Sequence, residues 1–170
     1  MQLAGVLSIG LLLSICFLDT DIKGAVNDTK LVKKARSLIL AWLLSIFLFI
    51  LVQITYLLEQ PFLSSFDSTV IRSYLTQTSI GKSYLIQIIG LAIILAIPIK
   101  RILTTYFLLL LSLIVIIAPV FQSHGSSAGN HGLAIGALVV HVIAISFWVG
   151  GLFGLTQLNK TQKLIALPRF

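Results

Sequence analysis

Five long apolar runs set the strongest constraint on how this chain can fold. Each is close to the roughly 20 residues that an α-helix needs to cross the hydrocarbon core of a bilayer. The runs cover residues 2–18, 38–58, 84–99, 103–121 and 132–155. No Asp, Glu, Lys or Arg lies inside any of them, and none alternates with the period of two that a membrane β-strand shows. The pattern predicts an all-α, polytopic transmembrane helix bundle of about five helices.

Composition supports a membrane protein. Charged residues make up 10% of the chain, against about 25% in a soluble domain, and the mean hydropathy is +1.07. The net charge of +7 lies in short clusters between the apolar runs, so we expect membrane lipid and not nucleic acid as the partner. The first run resembles a signal-peptide core, but no basic segment precedes it and no cleavage motif follows it. We therefore expect a retained helix and treat residues 1–170 as one membrane domain.

The basic residues set the predicted orientation. Only Arg72 and Lys82 lie on one side of the bundle. The other ten of the twelve lie on the opposite side: Lys23, Lys30, Lys33, Lys34, Arg36, Lys100, Arg101, Lys160, Lys163 and Arg169. Because Lys and Arg concentrate in cytoplasmic loops, we expect the N-terminus outside and the C-terminus in the cytoplasm. The loop of residues 122–131 then faces outside.

Three histidines are the candidate metal ligands. His141 lies about ten residues into the fifth run, and so about 15 Å deep, near mid-bilayer. A polar group at that depth is a functional-site hypothesis, and neutral imidazole binds copper or haem iron. His124 and His131 bracket an uncharged, flexible loop that could bring both onto one metal ion. His131 and His141 cannot share an ion, since a straight helix separates them by about 15 Å and about 80°.

Simpler interpretations of these histidines stay open. His141 could only hydrogen-bond a neighbouring helix, as polar residues in membrane helices often do. His124 and His131 could be solvated loop residues with no ligand role.

The end of the fifth run carries a Trp-x-Gly-Gly motif. Trp148 lies seven residues after His141 and therefore on the same helix face, as do two alanines. Gly150 and Gly154, four residues apart, allow another helix backbone to approach closely, and Gly151 lies between them. We expect these glycines to serve helix packing.

The remaining notable residues give weaker indications of function. Trp42, near the predicted start of the second run, is expected at the membrane interface. Cys16 excludes an intramolecular disulfide, and a lone buried thiol behaves as a small hydrophobic group. The chain has no phosphate-binding loop, no nucleophile beside a base and no carboxylate pair inside the membrane, so we do not expect an enzyme.

Together, His131-x9-His141 on a small-residue helix and the Trp148-Val-Gly150-Gly151 motif resemble the CopD (copper resistance protein D) family of bacterial membrane proteins. The resemblance is specific over residues 129–170 and diffuse before them. It implies a multi-helix bundle in the inner membrane that takes up or binds copper. His131 and His141 match the histidines at the start and middle of the family's helix.

Members of that family are longer than this chain, so we expect these residues to be the N-terminal part of a longer protein. The resemblance then implies further CopD-like helices, or in some relatives an oxidase-assembly module, as partners. Two other functions stay open. One is a membrane b-type cytochrome, which needs a second histidine at matched depth to hold haem. The other is an assembly subunit for cytochrome oxidase with no ion path of its own.

Overall fold

The computed structural model describes residues 2–19, 29–59, 62, 66–123 and 131–169, and in these ranges it is all-α, as predicted. The elements are α1 (Gln2–Asp19), α2 (Thr29–Leu58), α3 (Ser68–Gln77), α4 (Ser79–Ala96), α5 (Ile102–Ile117), α6 (Val120–Ser123), α7 (His131–Thr156) and α8 (Lys160–Ala166). A 3-10 turn, Leu167–Arg169, follows α8.

All five apolar runs form helices, but several ends differ from the prediction. α2 begins at Thr29 instead of residue 38, because the Lys and Arg residues before the apolar run are good helix formers. α4 ends at Ala96, since Pro98 disfavours the helical conformation for Ile97, which has φ −81° and ψ 125°. α5 ends at Ile117, just before Pro119, and α6 continues beyond the proline.

Three helices are long and apolar enough to cross a membrane: Lys30–Leu58, Ser79–Ala96 and Gly132–Thr156. These candidate spans make the chain a multi-pass membrane protein. Two shorter apolar helices, Gln2–Leu18 and Ile102–Ile117, complete the set of predicted runs. The short helices α3 and α8 were not predicted, because neither has an apolar run of membrane length.

Helix α1 lies at the centre of the bundle. It packs against α2, α5 and α7, and between Gly5 and Leu18 only Leu7 and Phe17 are partly exposed. A helix surrounded by protein does not meet the surrounding lipid. Its short length therefore causes little hydrophobic mismatch. Removal of α1 as a cleaved signal peptide would take away the centre of this core.

Trp42 is buried in this core and not at the membrane interface, so that prediction is wrong. Its side chain is 0% exposed, and a Cβ atom placed on Gly5 would lie 2.7 Å from its ring. Because α2 begins as early as Thr29, Trp42 lies well inside the helix. The missing side chain at Gly5 leaves room for the indole against α1.

Two hydrogen bonds gather most of the basic segments at one end of the bundle. Lys34 Nζ donates to Gln157 Oε1 (3.0 Å), and Arg36 Nη2 donates to the Ile97 carbonyl (3.3 Å). The start of α2 therefore meets the ends of α4 and α7, and α2 runs antiparallel to both. We call this the basic end. The opposite end, where α7 begins at His131, is the histidine end.

Candidate metal site on helix α7

Of the three predicted histidine ligands, the structure describes the side chain of His141 alone. His124 lies outside the described residues. His131 is the first residue of α7, and its side chain is also outside the described part. His141 is described, ten residues further along an unbroken helix, so a rise of about 15 Å separates the two backbone positions.

His141 lies on an open face of α7. Ala134, Ala137, His141, Ala144 and Trp148 are all exposed, and their alternating spacing of three and four places them in one stripe. We call this stripe the open face. The predicted grouping of His141 with Trp148 agrees with this arrangement. In an apolar 18-residue stretch of α7 only 6% of the residues are buried, against 33% and 39% in the corresponding stretches of the other two candidate spans, so α7 is the least covered of the three.

The other side of α7 packs closely on α1, with the two helices parallel. A Cβ atom added to Gly10 would collide with the Gly150 carbonyl, and one added to Gly154 would collide with Ser14 Oγ and the Gly10 carbonyl. Gly151 is buried beside them. This packed face explains why α7 has glycine at these positions: any side chain would force the helices apart.

Around His141 the described residues provide no ready-made metal site. They contain no group of three or more His, Cys, Asp or Glu side chains that could hold a metal ion. Copper in proteins is bound by several imidazole or sulfur ligands. His141 offers one imidazole, and no two further His, Cys, Asp or Glu side chains of the described residues join it in a metal site.

Two apolar cavities flank α7. One, of about 510 Å³, lies beside the open face and is lined by Trp148, Ala144, Leu13 and Phe17 among others. The other, of about 320 Å³, lies near the histidine end between α1, the α5–α6 junction and α7. Gln2 lines this second cavity, and its side-chain oxygen is buried without a hydrogen-bond partner. Neither lining offers imidazole, thiol or carboxylate ligands.

Several uncharged polar side chains are buried inside the bundle, and two of them, Gln87 and Ser14, were not among the predicted site residues. Gln87 is fully buried and its Nε2 donates to the Val115 carbonyl (2.9 Å), which joins α4 to α5. Ser14 is fully buried in α1, and its Oγ has no hydrogen-bond partner. A search for uncharged polar residues within the apolar runs, in addition to charged ones, would have found both.

Tyr74 of α3 is a further buried polar residue, near the end of α2. Burial raises the pKa of its phenol above the ordinary value. The side chain therefore stays a neutral phenol at physiological pH and does not offer a phenolate ligand.

Comparison with known families places the chain. A family model described as the copper resistance protein D-like N-terminal domain matches residues 1–136. The match runs from α1 into the first part of α7 and includes His124 and His131, whereas His141 and Trp148 lie beyond it. It therefore covers mainly the region where the motif-based resemblance was diffuse. No curated protein and no solved structure matches the chain.

Proposed function

Because the chain belongs to the copper resistance protein D-like family, we propose that it binds copper ions and moves them across the bacterial inner membrane. Membership of the family relates the chain to copper resistance. The proposal adds three points to family membership: the chain transports copper, it lies in the inner membrane, and it acts as a carrier and not as an enzyme. Copper is the transported ion here, and imidazole accepts it as Cu(I) or Cu(II).

The proposed topology has five crossings, by α1, α2, α4, α5 and α7, with the N-terminus outside. The gathering of basic segments at one end supports a cytoplasmic basic end. A reporter fused after Lys163 is then expected to read as cytoplasmic, and one inserted at Gly129 as external. Reversed readings would contradict this orientation and the external access of the histidine loop.

In the proposed path, His124 and His131 collect the ion outside and His141 receives it near mid-bilayer. The main support for this path is the position of His141. It lies about halfway along a candidate membrane helix, on a face that no described element covers. A polar side chain facing lipid at this depth is costly. We propose that further membrane helices, from the rest of a longer CopD-like protein or an oxidase-assembly module, cover the open face and supply the remaining ligands.

The decisive test is His141→Gln, introduced into the full-length parent protein in cells. An amide replaces a hydrogen bond well but is a poor copper ligand. We expect protein-dependent copper accumulation to fall to the level of cells that lack the protein. Ala137→Gln is the matched control, because it places the same amide on the same face about one turn away. Normal accumulation in His141→Gln at equal expression would remove the ligand role.

The outer site has its own test. Replacing both His124 and His131 with Ala should weaken copper binding by the purified protein at least about tenfold, as loss of metal-site residues generally does. Membrane insertion should be unchanged, since positions in or beside a loop have little packing to lose. Unchanged affinity and stoichiometry would contradict an outer site.

Spectra and copper binding of the purified protein also distinguish the two alternative functions, a b-type cytochrome and an oxidase-assembly subunit. Among the described residues, His141 is the one histidine within a candidate span, whereas a b-type haem needs two axial histidines at similar depth. We therefore expect no haem absorption bands. A haem spectrum would support the cytochrome, and copper binding no stronger than that of the buffer would support an assembly subunit.

A further inference from the structure

At the basic end, the side chain of Arg36 in α2 reaches the turn that joins α4 to α5. Its Nη2 donates to the Ile97 carbonyl (3.3 Å), and its Nε is buried with no hydrogen-bond partner among the described residues. Lys100 and Arg101 follow Ile97 in the same turn, and both are exposed. Three cationic side chains therefore belong to one small region, which we call the Arg36 cluster.

No described carboxylate is placed to neutralise this cluster. The acidic residues whose side chains are described, Glu59 and Asp67, follow the end of α2 and precede α3, at the opposite end of the bundle. The side chains of the other three acids, Asp19, Asp21 and Asp28, lie outside the described part. Within the described residues, the cluster is thus a concentration of positive charge that lacks an anion.

The length of α2 places the cluster at the level of the lipid headgroups. The helix has 30 residues and is therefore about 45 Å long, whereas the hydrocarbon core is about 30 Å thick. Its uncharged part, residues 38–58, is sufficient to cross that core. The first turns, with Arg36, then project into the layer where phospholipid phosphates lie.

We propose that Arg36, Lys100 and Arg101 bind the phosphate of an anionic phospholipid headgroup at the basic end. The guanidinium of Arg36 has a planar set of donors that matches phosphate oxygens, and only one of its nitrogens has a described partner. Lys100 and Arg101 add electrostatic attraction to a negatively charged headgroup. The bound lipid bridges the start of α2 and the α4–α5 turn. This site is independent of the proposed copper path.

Lipid retention by the purified full chain tests the proposal. The protein is exchanged into detergent micelles that contain phosphatidylglycerol and phosphatidylcholine in equal amounts, and bound lipid is counted by native mass spectrometry. We expect preferential retention of phosphatidylglycerol. The double variant Arg36→Gln/Lys100→Gln should reduce that retention about fivefold for each charge removed, and so roughly 25-fold in total.

Arg72→Gln/Lys82→Gln is the matched control, because it removes one Arg and one Lys from the opposite end. Its retention should equal that of the parent, and an equal loss in the control would overturn the proposal in favour of a net-charge effect. Lys100→Gln/Arg101→Gln changes two exposed residues with little packing to lose, and should also lose most retention even if Arg36 proves necessary for folding.

Two further outcomes would overturn the lipid assignment. Unchanged retention in Lys100→Gln/Arg101→Gln would remove the site. Displacement of phosphatidylglycerol by inorganic phosphate, but not by sodium chloride at the same ionic strength, would identify free phosphate, and not a lipid, as the ligand. Retention that falls equally in phosphate and in sodium chloride of the same ionic strength supports a lipid headgroup held by charge.

Discussion

The two faces of α7 carry similar small residues but have different surroundings. On the packed face, Gly150 and Gly154 let the backbone of α1 approach so closely that no side chain would fit. On the open face, the alanines around His141 have no such neighbour among the described residues. Small residues permit close approach of a second helix on both faces, but among the described residues a helix packs on only one of them. The exposed His141 on the open face is the observation on which the proposed covering helices rest.

The two tryptophans show the same contrast and provide the largest expected effect. Trp42 is fully buried against α1, whereas Trp148 on the open face is 73% exposed. Trp42→Ala should lower the free energy of unfolding by about 4 kcal/mol, the usual cost of a large buried cavity. Trp148→Ala should cost less than about 1 kcal/mol. Reversible unfolding in mixed micelles, followed by circular dichroism, measures both.

Equal losses in these two variants would contradict the assignment of one packed and one open face. A large cost at Trp148 alone would mean that the open face is covered even in the isolated chain, for example by a second copy. Repeating the measurement over a range of protein concentrations distinguishes that case, because association makes stability depend on concentration.

Glycine substitutions test the packed face directly. Gly10→Ala adds a methyl group that must collide with the Gly150 carbonyl, so we expect a loss of about 3 kcal/mol. Gly136→Ala is the matched control, since nothing lies within 4 Å of the added atom. There the better helix propensity of alanine should leave stability unchanged or raise it by up to about 1 kcal/mol. A similar loss in both variants would mean that α1 and α7 are not in close contact.

The packed face could be predicted only in part. The four-residue spacing of Gly150 and Gly154 predicted close approach by a helix, but not that α1 would be the partner. That pairing joins segments far apart in the chain and depends on Gly10, which no local pattern marks. Each of the five apolar runs contains a helix, and three of these helices are long enough to cross a membrane. Apolar length could not give the helix ends, because basic residues and capping residues extend helices beyond an apolar run.

The open face was easier to predict than the core. Helical periodicity alone placed His141 and Trp148 on one face, and the structure has them there. Trp42 was expected at the interface because it lies near the start of the second apolar run, and periodicity could not tell that its face of α2 is the buried one. The ligand set around His141 could not be predicted from these residues, because one imidazole does not define a metal site.

A smaller effect of opposite sign is expected at Ser14 on the packed interface. Its Oγ is buried beside Gly154 without a hydrogen-bond partner. Ser14→Ala removes this unsatisfied group with little change in volume and should raise stability by about 1 kcal/mol. Ser112→Ala is the control, because its Oγ donates to the Leu108 carbonyl (2.7 Å), and there we expect no gain. A clear loss in Ser14→Ala would show that this hydroxyl has a partner in the membrane.

The smallest expected stability effect is at His141, where it separates ligation from packing. Because its side chain is exposed in the described bundle, His141→Gln should change the free energy of unfolding of the metal-free chain by less than about 0.6 kcal/mol, the average for a polar contact between membrane helices. With copper present, the full-length parent protein should be stabilised more than the variant, since an ion that binds only the folded protein raises its stability and the variant keeps only the proposed outer site. Ala137→Gln should respond to copper like the parent. A loss above about 1 kcal/mol without copper would show that His141 holds helices together. Equal stabilisation of parent and variant by copper would contradict a ligand role for His141 and would leave the outer site as the source of the effect.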